Sequence, residues 1–561
     1  MILSANDYIQ DPRDAAQGLR DALAAARACG ADEVHLAAGV YELRSSVWKA
    51  SDSIAHDDGC GELHGKACNL LLEGLTGLIL SGETDESGAP ATVLAGCHEN
   101  AIQSRSPTLL WADGCTRLTL KNLAMTRSPV SAWAGEIASI QNGRIAVRLN
   151  GGEAPGETGA YCMNRIVSGR LTGESLTNGF GYDRRFRRGA DGLLELCDPA
   201  LARKLQVGDG LSWHQSGLTD FLLFFGNCTN LKLENIRIFN ANAFAMLTEN
   251  CRGIHAQRLV MKPGDGRWFT GPRDGWKVYR CGGHVHVEDC WFEGFRMDGQ
   301  NVHANYLRAE SVRGDEAVFA CKYAPIPLQN GSAIRVHLGP GREALAEIRA
   351  WEPLEGRWTV SSQKDSPTAA QAVVGAKNHI ARYAVRLTRA LEGELRAALE
   401  GRALCEALCW TPESYVCERT VFCNIAGAGN LLRCENARIE GNRYDSLMNA
   451  GVLIGAELDT HEECGHGRRI LIRGNTFEHI GFKPRYGAYG CAAVAVKSEG
   501  FSAPVNEDIR IEENVFADCA CAIELNDAQR VTIRQNRYDR IETRLRRDER
   551  TTREIRMEDE T

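Results

Sequence analysis

The sequence predicts an all-β chain wound as a parallel β-helix. This would be a solenoid with an N-terminal capping helix and two small β-barrel-like domains inserted in its coils. Three observations predict it: a phrase that recurs at the length of one coil, a helix-forming segment ahead of its first copy, and two long stretches where the phrase lapses.

The phrase is a Cys or polar residue, then alternating apolar residues, then Asn or Asp, then an aromatic or aliphatic residue. It runs through Cys115–Leu123, Cys228–Ile236 and Cys281–Trp291. Later copies end on Asn442 and Tyr444, Asn475 and Phe477, Asn514 and Phe516, and Asn536 and Tyr538. Alternation places every second side chain inside the coil, and Asn or Asp suits the corner because it tolerates left-handed φ. Stacked coils would align these positions into ladders, so the repeated Cys, Asn and aromatic residues are read as structural.

Ahead of the repeat, Asp14–Ala26 carries Leu19 and Leu23 at helical spacing among strong helix formers and ends near Gly30. The following Val34–Tyr41, with its Gly39-Val40-Tyr41, resembles the opening of pectate-lyase-like right-handed β-helices. That resemblance implies right-handed coils with the helix closing the first, where backbone and core would otherwise face water. The phrase lapses over 128–213 and 310–417, where short alternating runs such as Ile145–Leu149 and Ala333–Leu338 predict inserted antiparallel barrels or sandwiches. The expected order is cap and first coils 1–127, insertion 128–215, central coils 216–309, second insertion 310–417, C-terminal coils 418–542 and a charged tail 543–561. The tail, dense in Arg and Glu, reads as a frayed or solvated helix.

The formal net charge of −8 leaves no overall basic footprint, so nucleic acid and anionic membranes are poor partners and a neutral or weakly charged substrate is easier to accept. No run approaches 18 apolar residues, and Met1–Asp7 lacks a signal-peptide pattern. The chain as given is expected to be cytoplasmic, or periplasmic or secreted if a signal was trimmed. Its 21 cysteines are spread along the repeat without paired C-x-x-C motifs, which fits thiols in a reducing compartment. Cys464-Gly465-His466 beside His461 is the best local zinc pattern, yet neither a metal nor a cofactor is expected. Homo-oligomerisation is left open.

The chemistry is placed between Asp274 and Asp298. Each precedes a glycine and they lie 24 residues apart, about one coil, so they should sit roughly 4.8 Å apart along the axis. Cleaving a glycosidic bond needs one carboxylic acid and one carboxylate. Arg267, Trp268, Phe269, Trp276, Lys277, Asn301, His303 and Tyr306 supply aromatic surfaces and donors nearby. Arg485, Tyr486 and Glu499, in irregular stretches of later coils, are further candidate sugar contacts, ahead of the weaker Asp459-Thr460-His461.

The block Asp274-Gly-Trp-Lys-Val-Tyr-Arg-Cys-Gly-Gly, Val287–Gly294, and Met297-Asp298-Gly-Gln-Asn301-Val-His303 resembles the central block of glycoside hydrolase family 110. Further similarity lies in Cys409–Pro412 and Asn449–Ile454. The resemblance implies an inverting α-1,3-galactosidase on a β-helix with inserted barrels, acting on an oligo- or polysaccharide. Asp274 and Asp298 would fall on two catalytic aspartates, and Asn301 and His303 on the family's Asn-Val-His. Two positions depart: Met297 stands where the family has a second aspartate, and Lys277 where it has histidine. Either Asp298 is the acid with Asp274 as base, or Glu293, Asp265 or Glu499 supplies the proton. Lys277 would favour an anionic sugar or lower a neighbouring carboxyl. Two readings compete on the same fold: a lyase or epimerase acting on uronides, and a non-catalytic carbohydrate-binding β-helix.

Overall fold

The computed structural model describes residues 1–51, 66–97, 106–130, 132–151, 155–167, 169–177, 184–214, 221–264, 266–322, 326–339, 341–354, 380–458, 462–482, 492–501 and 503–558. Among them the strands form two long, mainly parallel sheets that wind round one core. A 21-stranded sheet supplies two limbs of each coil and a 13-stranded sheet supplies the third. Early coils cross both limbs as single strands, Thr229–Ile238 and Arg252–Met261. Later coils break at the corner, as in Ala437–Glu440 followed by Arg443–Leu447.

That corner differs from the sequence expectation in detail. Asn122, Asn235 and Asp289 do take left-handed φ of 54°, 53° and 55°. In the later coils the left-handed place belongs to Gly441, Gly474, Glu513 and Gln535, and the Asn comes one residue on. There Asn442, Asn475, Asn514 and Asn536 form a buried ladder: the side chain of Asn442 accepts the Thr420 N–H, and each later one accepts the backbone N–H of the Asn one coil earlier, all at 2.9–3.0 Å. Two residues further, Phe292, Phe422, Tyr444, Phe477, Phe516 and Tyr538 stack face to face with centroids 4.7–5.5 Å apart. Phe292 takes this place, not Trp291, whose ring lies outside beneath Lys262.

The predicted cap is helix Ala16–Cys29, closed by Gly30 at φ 67°. Its Ala16, Leu19, Ala22, Leu23 and Ala26 face the first coils. Gly18 is required by crowding, since a Cβ there would lie 2.6 Å from the Tyr8 carbonyl oxygen. The predicted strand after it is two strands, Glu33–His35 and Gly39–Leu43.

The first insertion contains an eight-stranded antiparallel sheet with its own core around Trp213, Phe186 and Ile137. The second closes into a six-stranded barrel from Leu307 to Ala407. The first leaves the solenoid where the coil enters the 13-stranded sheet and the second where it leaves, so the insertions flank the outer face of that sheet. The tail is corrected: Thr543–Arg547 and Thr552–Met557 are strands that pair in parallel with Cys521–Leu525 and Ala528–Arg534. Its charges alternate with Leu545 and Ile555, which pack on the core, so the pattern has period two and not a helical period. None of the described helices is long and apolar enough to cross a membrane.

Candidate active site

On the 13-stranded sheet, Trp276–Tyr279 pairs with Gln300–Asn305, aligning Trp276 with Gln300, Lys277 with Asn301 and Tyr279 with His303. Asp274 and Asp298 therefore occupy the same corner position of successive coils. The next coils put Ala428, Ala450 and Ala492 there, each followed by Gly or Ala. The glycine after each Asp belongs to the packing: a Cβ on Gly275 would meet the Gly299 carbonyl oxygen at 2.6 Å, and one on Gly299 the Gly429 carbonyl oxygen at 2.8 Å. The turn thus demands a small residue at the second position and accepts alanine at the first. The two carboxylates are not required by the backbone.

The aspartates are close and mostly enclosed. Asp274 is buried and accepts the Asp298 N–H at 3.3 Å. Asp298 is half-buried and accepts the Ala428 N–H at 2.7 Å. Gly427 is pressed against it, because a Cβ there would lie 2.5 Å from Asp298 Oδ1. Burial pushes the Asp274 carboxyl up to about 6 against the pull of Lys277 and Arg273. Burial and then the Asp274 charge push Asp298 further, to about 8, against the Ala428 N–H and Arg433. Burial and mutual repulsion thus favour a shared proton on the pair, with Asp298 the harder of the two to ionise.

Alternation sends Lys277, Asn301 and His303 to the outer face beside the pair. Lys277 Nζ lies 5.5 Å from the Phe244 ring centroid. His303 is buried, which lowers its imidazole to about 3 and keeps it neutral. Its Nδ1 is 3.2 Å from the Ala304 carbonyl oxygen. With the proton on Nδ1, Nε2 is an acceptor, and Nε2 has no partner among the described residues. Nε2 is itself enclosed by the protein.

Two residues that the sequence reading missed complete the site. Arg433 follows His303 in the same outer row, and its Nη1 reaches Glu463 at 2.6 Å and Asn301 Oδ1 at 3.5 Å. Glu463 is brought in by a two-residue strand antiparallel to Gln300–Asn305 and lies 3.6 Å from His303 Nδ1. Stacking the coil phrases would have placed Arg433 under His303. No sequence signal places Glu463, which lies outside the repeat.

The other candidates disperse. Trp276 is corrected: it points into the solenoid, fully buried, with Nε1 donating to Thr248 Oγ1 at 3.1 Å, and so offers no surface to a sugar. Tyr306 is likewise enclosed, under the barrel. Trp268 packs with Ile166 and Leu171 of the first insertion and with Ala426 and Met448, joining that domain to the solenoid; Arg267 is half-buried next to it. Glu293 is held on another limb by Trp291 Nε1 at 2.8 Å and Lys262 at 3.5 Å. Glu499, by contrast, stays beside the site, lining a small cavity with Leu431, Arg433, Glu457 and Lys497. Asp265, Asp459, Thr460, His461, Arg485 and Tyr486 lie outside the described residues. Cys464 is buried in an apolar cluster and His466 Nε2 pairs with Glu406 at 3.3 Å, so neither presents the zinc pattern seen in sequence. His466, His337 and Glu406 do converge closely enough to hold a cation. Arg335 sits 3.2 Å from Glu406 and already supplies positive charge there.

No protein-family model matches the chain. It is similar to curated α-1,3-galactosidases. One is α-1,3-galactosidase B of Phocaeicola vulgatus, 24% identical over 46% of this chain and 41% of that protein. Another is α-1,3-galactosidase A of Bacteroides thetaiotaomicron, 23% identical over 80% and 77%. A third is α-1,3-galactosidase A of Bacteroides fragilis, 24% identical over 52% and 46%. The chain thus spans about half the length of several of these relatives. All of these relatives are named α-1,3-galactosidases, and each is 23–24% identical to this chain. Among solved structures, the mannuronan C-5 epimerase AlgE4 A-module of Azotobacter vinelandii covers 98% of this chain and 99% of its own, with TM-score 0.42 and 10% identity. An exopolygalacturonase of Thermotoga maritima has TM-score 0.42 and 8% identity over 100% and 92%. At that similarity neither transfers an activity.

Proposed function

We propose that the chain is a glycoside hydrolase that releases terminal α-linked galactose, with α-1,3 linkage as its preferred bond, by inversion. Asp298 is the general acid that protonates the departing oxygen, and Asp274 is the base that takes a proton from the attacking water. The observation that carries this reading is the corner ladder. Asp stands only at the two adjacent coils beside Lys277, Asn301 and His303, where later coils make the same turn with Ala. The split in proton affinity suits the roles, since an acid must be protonated and a base ionised at the working pH. Asp298 supplies the proton that the family's second aspartate would give, which makes the methionine at 297 tolerable. Asn301 holds a sugar hydroxyl, buried His303 packs behind it, and Lys277 orients Asp274.

The test is a set of α- and β-linked galactosides, including an α-1,3-galactobiose, with the first anomer followed by proton NMR. The α-linked substrates should release β-galactose first. Release of α-galactose first would overturn inversion. Unsaturated products from a polyuronide, with no galactose from any substrate, would replace the hydrolase by a lyase.

A further inference from the structure

The outer face of the C-terminal coils carries a groove of about 720 Å³ on the first limb of the larger sheet, one corner away from the aspartates. Six of its twelve lining residues are arginines and two are acidic. Its charges fall in three columns that the strand register defines. One outer column runs Arg469, Asp508, Arg530, Glu554, and its members neutralise one another, as in Arg530 Nε to Asp508 at 2.6 Å. The other runs Glu440, Arg473, Glu512, Arg534 and does the same, with Arg473–Glu440 at 2.5 Å and Arg534–Glu512 at 2.8 Å. The middle column is Arg438, Leu471, Arg510, Thr532, Arg556 and contains no acid.

Alternating signs on adjacent strands stabilise a parallel face, and like charges do not. Two columns follow that rule and the middle one does not. Its arginines are exposed; Arg438 pairs with Glu440 of the neighbouring column, whereas Arg510 meets Glu512 only at 4.0 Å and Arg556 forms no ion pair among the described residues, so these two carry the free charge. They recur on every second coil, roughly 10 Å apart, with a small or apolar floor between them. One strand spacing is close to the length of one pyranose in an extended glycan. A chain laid along the axis would set every second sugar over an arginine.

We propose that this column binds a linear polysaccharide bearing an anionic group, sulfate or carboxylate, on alternate sugars. The groove would hold a polymeric substrate on the solenoid away from the catalytic face. No aromatic side chain lines it for base stacking, which disfavours single-stranded nucleic acid. The inference does not rest on the catalytic assignment, because binding is read without turnover.

The test is titration calorimetry of the full chain at low salt with hexasaccharides of κ-carrageenan, hyaluronan and neutral agarose, and with a short single-stranded DNA. Both anionic glycans should bind, more weakly as salt rises, and the neutral one should not. The double variant Arg510→Ala/Arg556→Ala should bind about tenfold more weakly, from two exposed charge contacts. Arg540→Ala, which removes an exposed arginine paired with Asp518 on another limb, should bind as wild type and control for folding. Binding of only one anionic glycan would identify its group as the one recognised. Unchanged binding by the double variant, no binding of either anionic glycan, or equal binding of DNA would overturn the proposal.

Discussion

Replacing Asp298 by Asn should make the protein more stable at alkaline pH while removing its activity. The Asn keeps the shape and the acceptor for the Ala428 N–H but cannot ionise. In the wild type, burial and the neighbouring Asp274 hold the Asp298 carboxyl near 8, against 3.8 when unfolded. A folded value above the unfolded one gives stability that is full below pH 3.8 and is lost as pH rises towards 8. A tenfold change in proton affinity is about 1.4 kcal/mol, so ionisation costs the folded protein on the order of 4 kcal/mol above pH 8 once some solvent screening is allowed. With about 2.1 cal/mol/K of unfolding entropy per residue, that is about 3 °C of melting temperature for a chain of 561 residues. Calorimetry at pH 5 and pH 9 should show the variant melting higher, with the gap widening to about 3 °C at pH 9. Wild-type kcat/KM should rise through pH 6 as Asp274 ionises and fall through pH 8 as Asp298 loses its proton. The variant should lose roughly 10²–10⁴-fold in kcat. A variant that melts no higher at pH 9 would refute the burial argument, and one that keeps turnover would remove Asp298 from the mechanism.

Trp276→Phe should cost about 1–3 kcal/mol from lost packing and the orphaned Thr248 hydroxyl, with KM unchanged; a large rise in KM would return Trp276 to the binding surface. Arg433→Met removes the guanidinium that lies 2.6 Å from buried Glu463, an expected loss of about 3–5 kcal/mol. Adding Glu463→Gln should recover part of it, and double-mutant calorimetry showing no recovery would refute a paired role.

Much of the architecture was legible because a solenoid repeats its instructions. Inward apolar pairs, the corner Asn and the aromatic two places on recur with each coil, and helix Ala16–Cys29 announces its own end with Gly30. The tail misled because its charges hide a period of two on strands whose apolar inward residues are few, Leu545 and Ile555, each only partly buried. Of the site, the two Asp-Gly pairs were visible at coil spacing. The direction of Trp276 was open, because inside and outside depend on strand parity that begins at an irregular corner.

The sequence by itself determined the repeat, the insertions and the pair of aspartates one coil apart, since these depend on local pattern and on a spacing of 24 residues. The tertiary structure alone decided which face each side chain occupies, that Arg433 and Glu463 join the site from 130 and more residues away, and that the carboxyls of both aspartates are pushed up. Strand pairing across coils sets the first two. The third follows from burial and from the nearness of another charge, which no linear pattern records.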